Sequence, residues 1–282
     1  MSKLSIITIN LNNRAGLEPT IHSVVTQSFR AFELLVIDGG STDGSVELIR
    51  QYENHLAYWV SERDGGIYAA MNKGIRVATG EYCLFLNSGD WLAGPQVLEQ
   101  VFARQPRADI VAGDIYFYDT SRQAIRWLVP SPDELTARTL LMGTLPHQAT
   151  LIRRSLFDRI GLYDETLKIA SDWLFFLDAL LVHGCSYQHH PAPVAYFSMD
   201  GISCDPRTES LPRREQLAIL RQRYPRFLPD YERLEALEKE QVRWLQSREY
   251  SVYRFLDALG LIRLGVWCRR VQHRLQRTLS QA

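Results

Sequence analysis

Cysteine is scarce in this chain of 282 residues: Cys83, Cys185, Cys204 and Cys268 are its only four. No Cys-x-x-Cys occurs and no histidine stands at zinc spacing from any of them, so nothing suggests a disulfide framework or a structural zinc site, and buried free thiols are expected. Long apolar runs are also missing. None approaches the ~20 residues that span a bilayer. Met1-Ser2-Lys3 leads straight into a strand-like Leu4–Ile9 with nothing resembling a signal peptide, so the expected compartment is the cytoplasm. Neither charge sign prevails: 32 Lys and Arg stand against 32 Asp and Glu, which speaks against a nucleic-acid partner. Acids are absent after Asp257, whereas Arg263, Arg269, Arg270, Arg274 and Arg277 all follow it. There is no internal repeat and no low-complexity tract.

What is present is a pair of polar stops, each closing a short apolar run. Leu34–Ile37 ends at Asp38-Gly39-Gly40-Ser41-Thr42-Asp43-Gly44, and Tyr82–Leu86 ends at Asn87-Ser88-Gly89-Asp90. Continuous apolar runs of this length suit parallel strands buried on both faces, and ligands of open α/β sheets bind beyond the carboxyl ends of such strands. Between them lie helical periodicities at Leu17, Ile21, Val24 and Val25, at Val46, Leu48 and Ile49, and over Tyr68–Val77, with a third strand at Leu56–Val60. Ser41 and Asp43 read as N-cap residues. The order βαβαβαβ predicts right-handed crossovers and a mostly parallel sheet flanked by helices. Beyond residue 110, Ile110–Tyr118 and Ala124–Val129 suit antiparallel strands, Asp172–Val182 a helix and Tyr187–Phe197 a strand. From about Ser210 the pattern is helical, which predicts a helical C-terminal extension.

Five blocks occur in order: Ile6–Asn12, Asp38–Gly44, Ser61-Glu62-Arg63-Asp64-Gly65-Gly66-Ile67-Tyr68, Met71-Asn72-Lys73-Gly74-Ile75 and Phe85–Asp90. Together they resemble the inverting GT-A glycosyltransferases of family 2, especially those of bacterial exopolysaccharide, colanic-acid and O-antigen assembly. The likeness covers residues 4 to 205. It implies a GT-A, Rossmann-like catalytic domain over 1–208, with a nucleotide-sugar half at 1–115 and an acceptor half at 116–208, followed by helices over 209–282.

The resemblance also implies roles. Thr8, Asn10, Asp38, Lys73, Asn87, Ser88, Asp90 and Ser203 would face a UDP- or GDP-sugar donor. His147, Gln148 and Trp173 would lie near the acceptor and diphosphate, with Trp173 free to stack on a sugar. Asp172 would be the base that takes the acceptor hydroxyl proton. Asp90 would bind Mn2+ or Mg2+, because hard oxygen ligands suit those ions. A glycan or lipid-linked oligosaccharide would accept the sugar. Each role has a plainer alternative: Asp38 and Asp172 as helix caps, Asp90 as a turn acid, Lys73 as a solvated lysine, His147 as a core histidine and Ser198–Ser203 as a connector rather than a loop over the diphosphate. The chain also departs from its relatives. Asn87-Ser88-Gly89-Asp90 replaces Asp-x-Asp, Ala69 stands where an acid is frequent, and Asp200 where glycine is common.

Along 260–280, Leu264, Trp267, Val271 and Leu275 fall opposite the five arginines at ~100° per residue. That pattern suits an anionic membrane surface, placing the protein peripherally on the inner face of the cytoplasmic membrane, and equally a helix docked on the catalytic domain or on a second copy in a homo-oligomer. Two other functions fit the composition: a sugar nucleotidyltransferase, whose Gly-rich phosphate loop is missing from Asn10–Gly16, and a non-catalytic nucleotide-sugar-binding scaffold.

Overall fold

The computed structural model describes residues 2–201, 204 and 210–259. The chain forms two compact units, 1–225 and 226–282. In the first, β1 (Leu4–Asn10), α1 (Arg14–Val25), β2 (Phe32–Asp38), α2 (Ser45–Gln51), β3 (Tyr58–Ser61), α3 (Ile67–Val77) and β4 (Tyr82–Phe85) alternate as the periodicity predicts. All seven residues of β1 are buried, which is why its sequence reads as a run and not as an alternation. Leu4 and Ile6 meet Leu17, Ile21 and Val24 of α1 on one face, while Ile7 and Ile9 meet Tyr68, Met71 and Ile75 of α3 on the other. The parallel register pairs Asn10 with Asp38, and Asp38 with Ser61. Three polar side chains are therefore delivered together at the carboxyl end of the sheet.

The remainder is β5 (Trp91–Leu92), α4 (Val97–Ala103), β6 (Ile110–Asp119), β7 (Ala124–Val129), α5 (Ala137–Met142), β8 (Thr150–Arg153), α6 (Ser155–Ile160), α7 (Ser171–Leu177), β9 (Tyr187–Ser198) and α8 (Leu211–Arg223). One sheet runs in the order β3-β2-β1-β4-β8-β6-β9-β5, with β7 paired to β6. The β3-β2-β1-β4 half is parallel. Beyond it the sheet is mixed: β8 runs antiparallel to β4 and β6, and β9 parallel to β6. The N-cap of α2 is Gly44 (φ +91°), not Ser41 or Asp43; Asp43 instead accepts from the Ser45 and Arg14 backbone N–H groups. The second unit holds α9 (Leu228–Leu245) and α10 (Arg248–Ala258), the latter capped by the Ser247 hydroxyl on the Tyr250 N–H. No helix among the described residues is long and apolar enough to cross a membrane.

Gly74 lets α3 lie close on β1, since a Cβ there would stand 2.4 Å from Ile7 Cγ2. Gly74→Ala gains ~1 kcal/mol of helix propensity but overpacks a core contact at ~1–3 kcal/mol. Urea unfolding is expected to show a lower midpoint for the variant; a higher one would mean that α3 shifts without strain.

His189 on β9 stands between two carboxylates, Nε2 at 2.8 Å from Asp114 and Nδ1 at 2.7 Å from Asp133. Burial pushes its pKa down, but the two hydrogen-bonded, charged partners outweigh that and raise it. A raised histidine stabilises fully below its unfolded pKa, and the stabilisation is lost as pH rises through the folded value. The stability gap between wild type and His189→Gln is accordingly expected to be wider at pH 6 than at pH 9, measured by urea unfolding at both.

Candidate active site

The Asp38 carboxylate closes the β2 end. Oδ1 accepts from Asn10 Nδ2 at 2.7 Å and Ser41 Oγ at 2.6 Å, and Oδ2 accepts from Gly40 N, Ser41 N and Ser61 Oγ. Burial raises its pKa, and the donors from Ser41, Ser61 and Asn10 outweigh burial and leave it lowered. Those bonds fill the lone pairs of a carboxylate. Asp38 therefore holds the Gly39–Ser41 loop ionised and in place. Thr8 Oγ1 and Asn10 Oδ1 are buried with no hydrogen-bond partner among the described residues. Ser88 fixes the neighbouring turn by accepting from Asn13 Nδ2 through its carbonyl. Lys73 pairs with Glu62 at 2.8 Å.

The Asn87–Asp90 turn ends β4. Gly89 takes φ +105°, a left-handed conformation costly for any side chain, and its N–H donates to Thr20 Oγ1, which in turn donates to the Asp90 carbonyl. The turn is thus bolted to α1. Asp90 is buried, and Oδ1 accepts from the Ser198 N–H at 2.9 Å. Burial pushes its pKa up to about 6 against the pull of that N–H, of His147 and of a Gln148 hydrogen bond.

Asp172 lies in the first turn of α7, yet it is no cap. Its Oδ1 accepts from the Tyr68 hydroxyl at 3.0 Å, and Oδ2 faces His147 Nδ1 at 3.2 Å. His147 Nε2 lies 3.3 Å from Asn87 Nδ2. His147 thus bridges the two, with one ring nitrogen toward Asp172 and the other toward Asn87. Asn87 Oδ1 is left buried and without a partner among the described residues. His147 joins the acid of α7 directly to the turn that carries Asp90.

Several supports were not legible in the sequence. Glu215 of α8 accepts from the Lys168, Ile169 and Ala170 N–H groups, clamping the chain just before α7. Asn72 donates to the Tyr163 carbonyl and accepts its N–H, tying the α7 approach to α3. Tyr68 belonged to a recognised block, but no local signal showed that it meets Asp172. Trp173 departs from expectation: it is 2 % exposed and its indole N–H donates to the Leu140 carbonyl, so it fastens α7 to α5 and presents no face to a sugar. Ser203 and the segment 260–280, expected from its sequence to be an amphipathic helix, lie outside the described residues.

Residues 5–161, which include this carboxyl edge, match the family model Glycosyl transferase family 2. The chain belongs to glycosyl transferase family 2. An uncharacterized glycosyltransferase of Mycobacterium tuberculosis is 39% identical over 182 residues, covering 64% of this chain and 69% of the relative. A PGL/p-HBAD biosynthesis glycosyltransferase of Mycobacterium bovis is 34% identical over 177 residues, covering 61% of this chain and 67% of that protein. Among solved structures, S. aureus TarS 1–349 superposes with TM-score 0.61 at 20% identity, over 93% of this chain and 80% of that one. Mannosyltransferase PcManGT of Pyrobaculum calidifontis, solved with GDP-Man and Mn2+, gives TM-score 0.55 at 16% identity, over 94% and 86%. Both share the GT-A fold of this glycosyltransferase. Among the described residues no three His, Cys, Asp or Glu side chains gather as a metal group. The turn after β4 offers instead one carboxylate and the unpartnered amide oxygen of Asn87, hard donors that fit a divalent ion only if phosphate and water complete its shell.

Proposed function

We propose that this family 2 enzyme transfers a sugar with inversion from a UDP- or GDP-sugar to a hydroxyl of a bacterial surface glycan or lipid-linked oligosaccharide. The observation that carries the reading is the contact chain Tyr68–Asp172–His147–Asn87, which ties a carboxylate to the turn at the donor end of the sheet. In a single displacement the acceptor oxygen bonds to the sugar C1 as the bond from C1 to the phosphate oxygen breaks. The acceptor proton passes to Asp172, and the electron pair leaves with the nucleoside diphosphate. Tyr68 and His147 orient Asp172, each donating to a different oxygen and leaving lone pairs for the incoming proton. Asp90 and Asn87 would hold Mn2+ or Mg2+, which when bound offsets the charge of the departing diphosphate. Asp38, Asn10 and Ser61 support the loop beside the nucleotide, and the unpartnered Thr8 and Asn10 oxygens suit polar groups of the donor. UDP-GlcNAc and GDP-Man in the neighbouring structures support the donor class, and the PGL/p-HBAD biosynthesis relatives support an acceptor in glycan or glycolipid assembly.

A thermal-shift panel of UDP- and GDP-sugars, with and without Mn2+, tests this. One nucleotide class is expected to raise the melting midpoint, and more so with Mn2+, because a ligand that binds only the folded state stabilises it by mass action. No shift with any nucleotide sugar would sink the reading.

A further inference from the structure

Four half-buried aromatic rings stand in a row beside this site: Tyr116 on β6, Tyr196 on β9, Trp91 on β5, and Tyr118 one pleat further along β6. Strand register places Tyr116 opposite Tyr196, and Tyr196 opposite Trp91. Their centroids are 5.0 and 5.1 Å apart with interplanar angles of 25° and 18°, so three rings stack upright across three strands. Tyr118 lies edge-on across the row, against Trp91 at 5.0 Å and 78° and against Tyr196 at 6.1 Å and 86°. Tyr116 and Tyr118 project to the same side of β6 as Ile110 and Ala112, which pack in the core with Phe175 and Phe176 of α7. The row is thus on the face that carries Asp172. It is also continuous with the donor turn, since Trp91 follows Asp90 and Tyr196 stands two residues before Ser198, whose N–H binds Asp90.

A tyrosine hydroxyl usually finds a partner as its ring is buried. Here no hydroxyl of Tyr116, Tyr118 or Tyr196, nor the Trp91 indole N–H, has a hydrogen-bond partner among the described residues. Stacking occupies the faces between neighbouring rings, so the row offers outward rims, end faces and a line of unused donors and acceptors. That combination matches a sugar, which carries apolar C–H faces and a periphery of hydroxyls. It suits neither an apolar partner, which would leave the polar tips unpaired, nor a charged one, because no ring bears charge.

We propose that this aromatic row is the binding subsite for the acceptor saccharide, holding sugar units next to the one whose hydroxyl reaches Asp172. The inference rests on the glycosyltransferase reading and adds where and by what chemistry the acceptor is held. The double variant Tyr116→Phe/Tyr196→Phe keeps the stack and removes two hydroxyls. The full chain, with Mn2+ and UDP or GDP, is applied to an array of immobilised mono- to tetrasaccharides of glucose, galactose, mannose, rhamnose and N-acetylglucosamine. Wild type should be retained on at least one class, and the double variant ~10-fold less, as the loss of two hydrogen bonds implies. Nucleotide affinity, measured by calorimetry on the same preparations, should be equal. If the double variant does not fold, the two single variants carry the comparison at ~3-fold each. Nucleotide binding without saccharide retention, or equal retention of variant and wild type, overturns the subsite alone. Absence of any nucleotide binding overturns the transferase reading beneath it.

Discussion

Asp172→Asn is expected to lower the turnover of sugar transfer by ~10²–10⁴-fold, the range that general-base catalysis contributes. The amide fits the same space and still accepts one hydrogen bond, from Tyr68 or from His147, so the fold and the donor site should be undisturbed. What is lost is an oxygen able to take a proton. Nucleoside diphosphate affinity should change less than ~2-fold, and kcat and kcat/KM for acceptor should fall together, as for an interaction needed only in the transition state. Steady-state kinetics with calorimetry on the same variant decides it. Near-normal turnover would remove Asp172 from the chemistry and leave the Tyr68–Asp172–His147 contacts a structural role only.

Asp90→Asn is expected to act in two opposite directions. With Mn2+ present, nucleoside diphosphate should bind the wild type at least ~10-fold more tightly than in chelator, and the variant should lose that enhancement, because the only carboxylate of the turn is gone. Without metal the variant should be the more stable protein at pH 8. Burial lifts the Asp90 pKa to about 6, above its ordinary value of 3.8, so the folded state holds the proton more tightly than the unfolded one. Wild-type stability therefore falls as pH rises from about 4 to 6 and stays reduced above that, by an amount on the order of 3 kcal/mol. The variant escapes this slope. Equal nucleotide affinity with metal and with chelator in wild type would point to a metal-independent site, and equal slopes of stability against pH would show that Asp90 is not the group titrating.

The parallel half of the sheet and its two polar stops could be read from residue order, since a run such as Leu34–Ile37 and a turn such as Asp38–Gly44 carry their signals within a few neighbours. Asp38 shows where such reading ends. That an acid closes the strand is local information; that its oxygens are already filled by Asn10, Gly40, Ser41 and Ser61 depends on the register of three strands. Trp173 is a second case. An aromatic beside a candidate base reads equally as a sugar platform or as a core ring, and only the position of α5, whose Leu140 carbonyl takes its N–H, separates the two.

The sequence by itself determined the family, the strand ends at which chemistry collects, and the candidate acids Asp90 and Asp172, because each is written in contiguous blocks whose spacing is fixed by one strand and one turn. Tertiary structure alone decided which groups surround those acids. The Tyr68–Asp172 bond closes across 104 residues and His147–Asp172 across 25, Glu215 reaches back from α8 to brace the chain just before Asp172, and the aromatic row exists only through the pairing of β5, β6 and β9. Contacts of that separation leave no periodicity in the chain, since they are set by which faces of distant elements the core brings together.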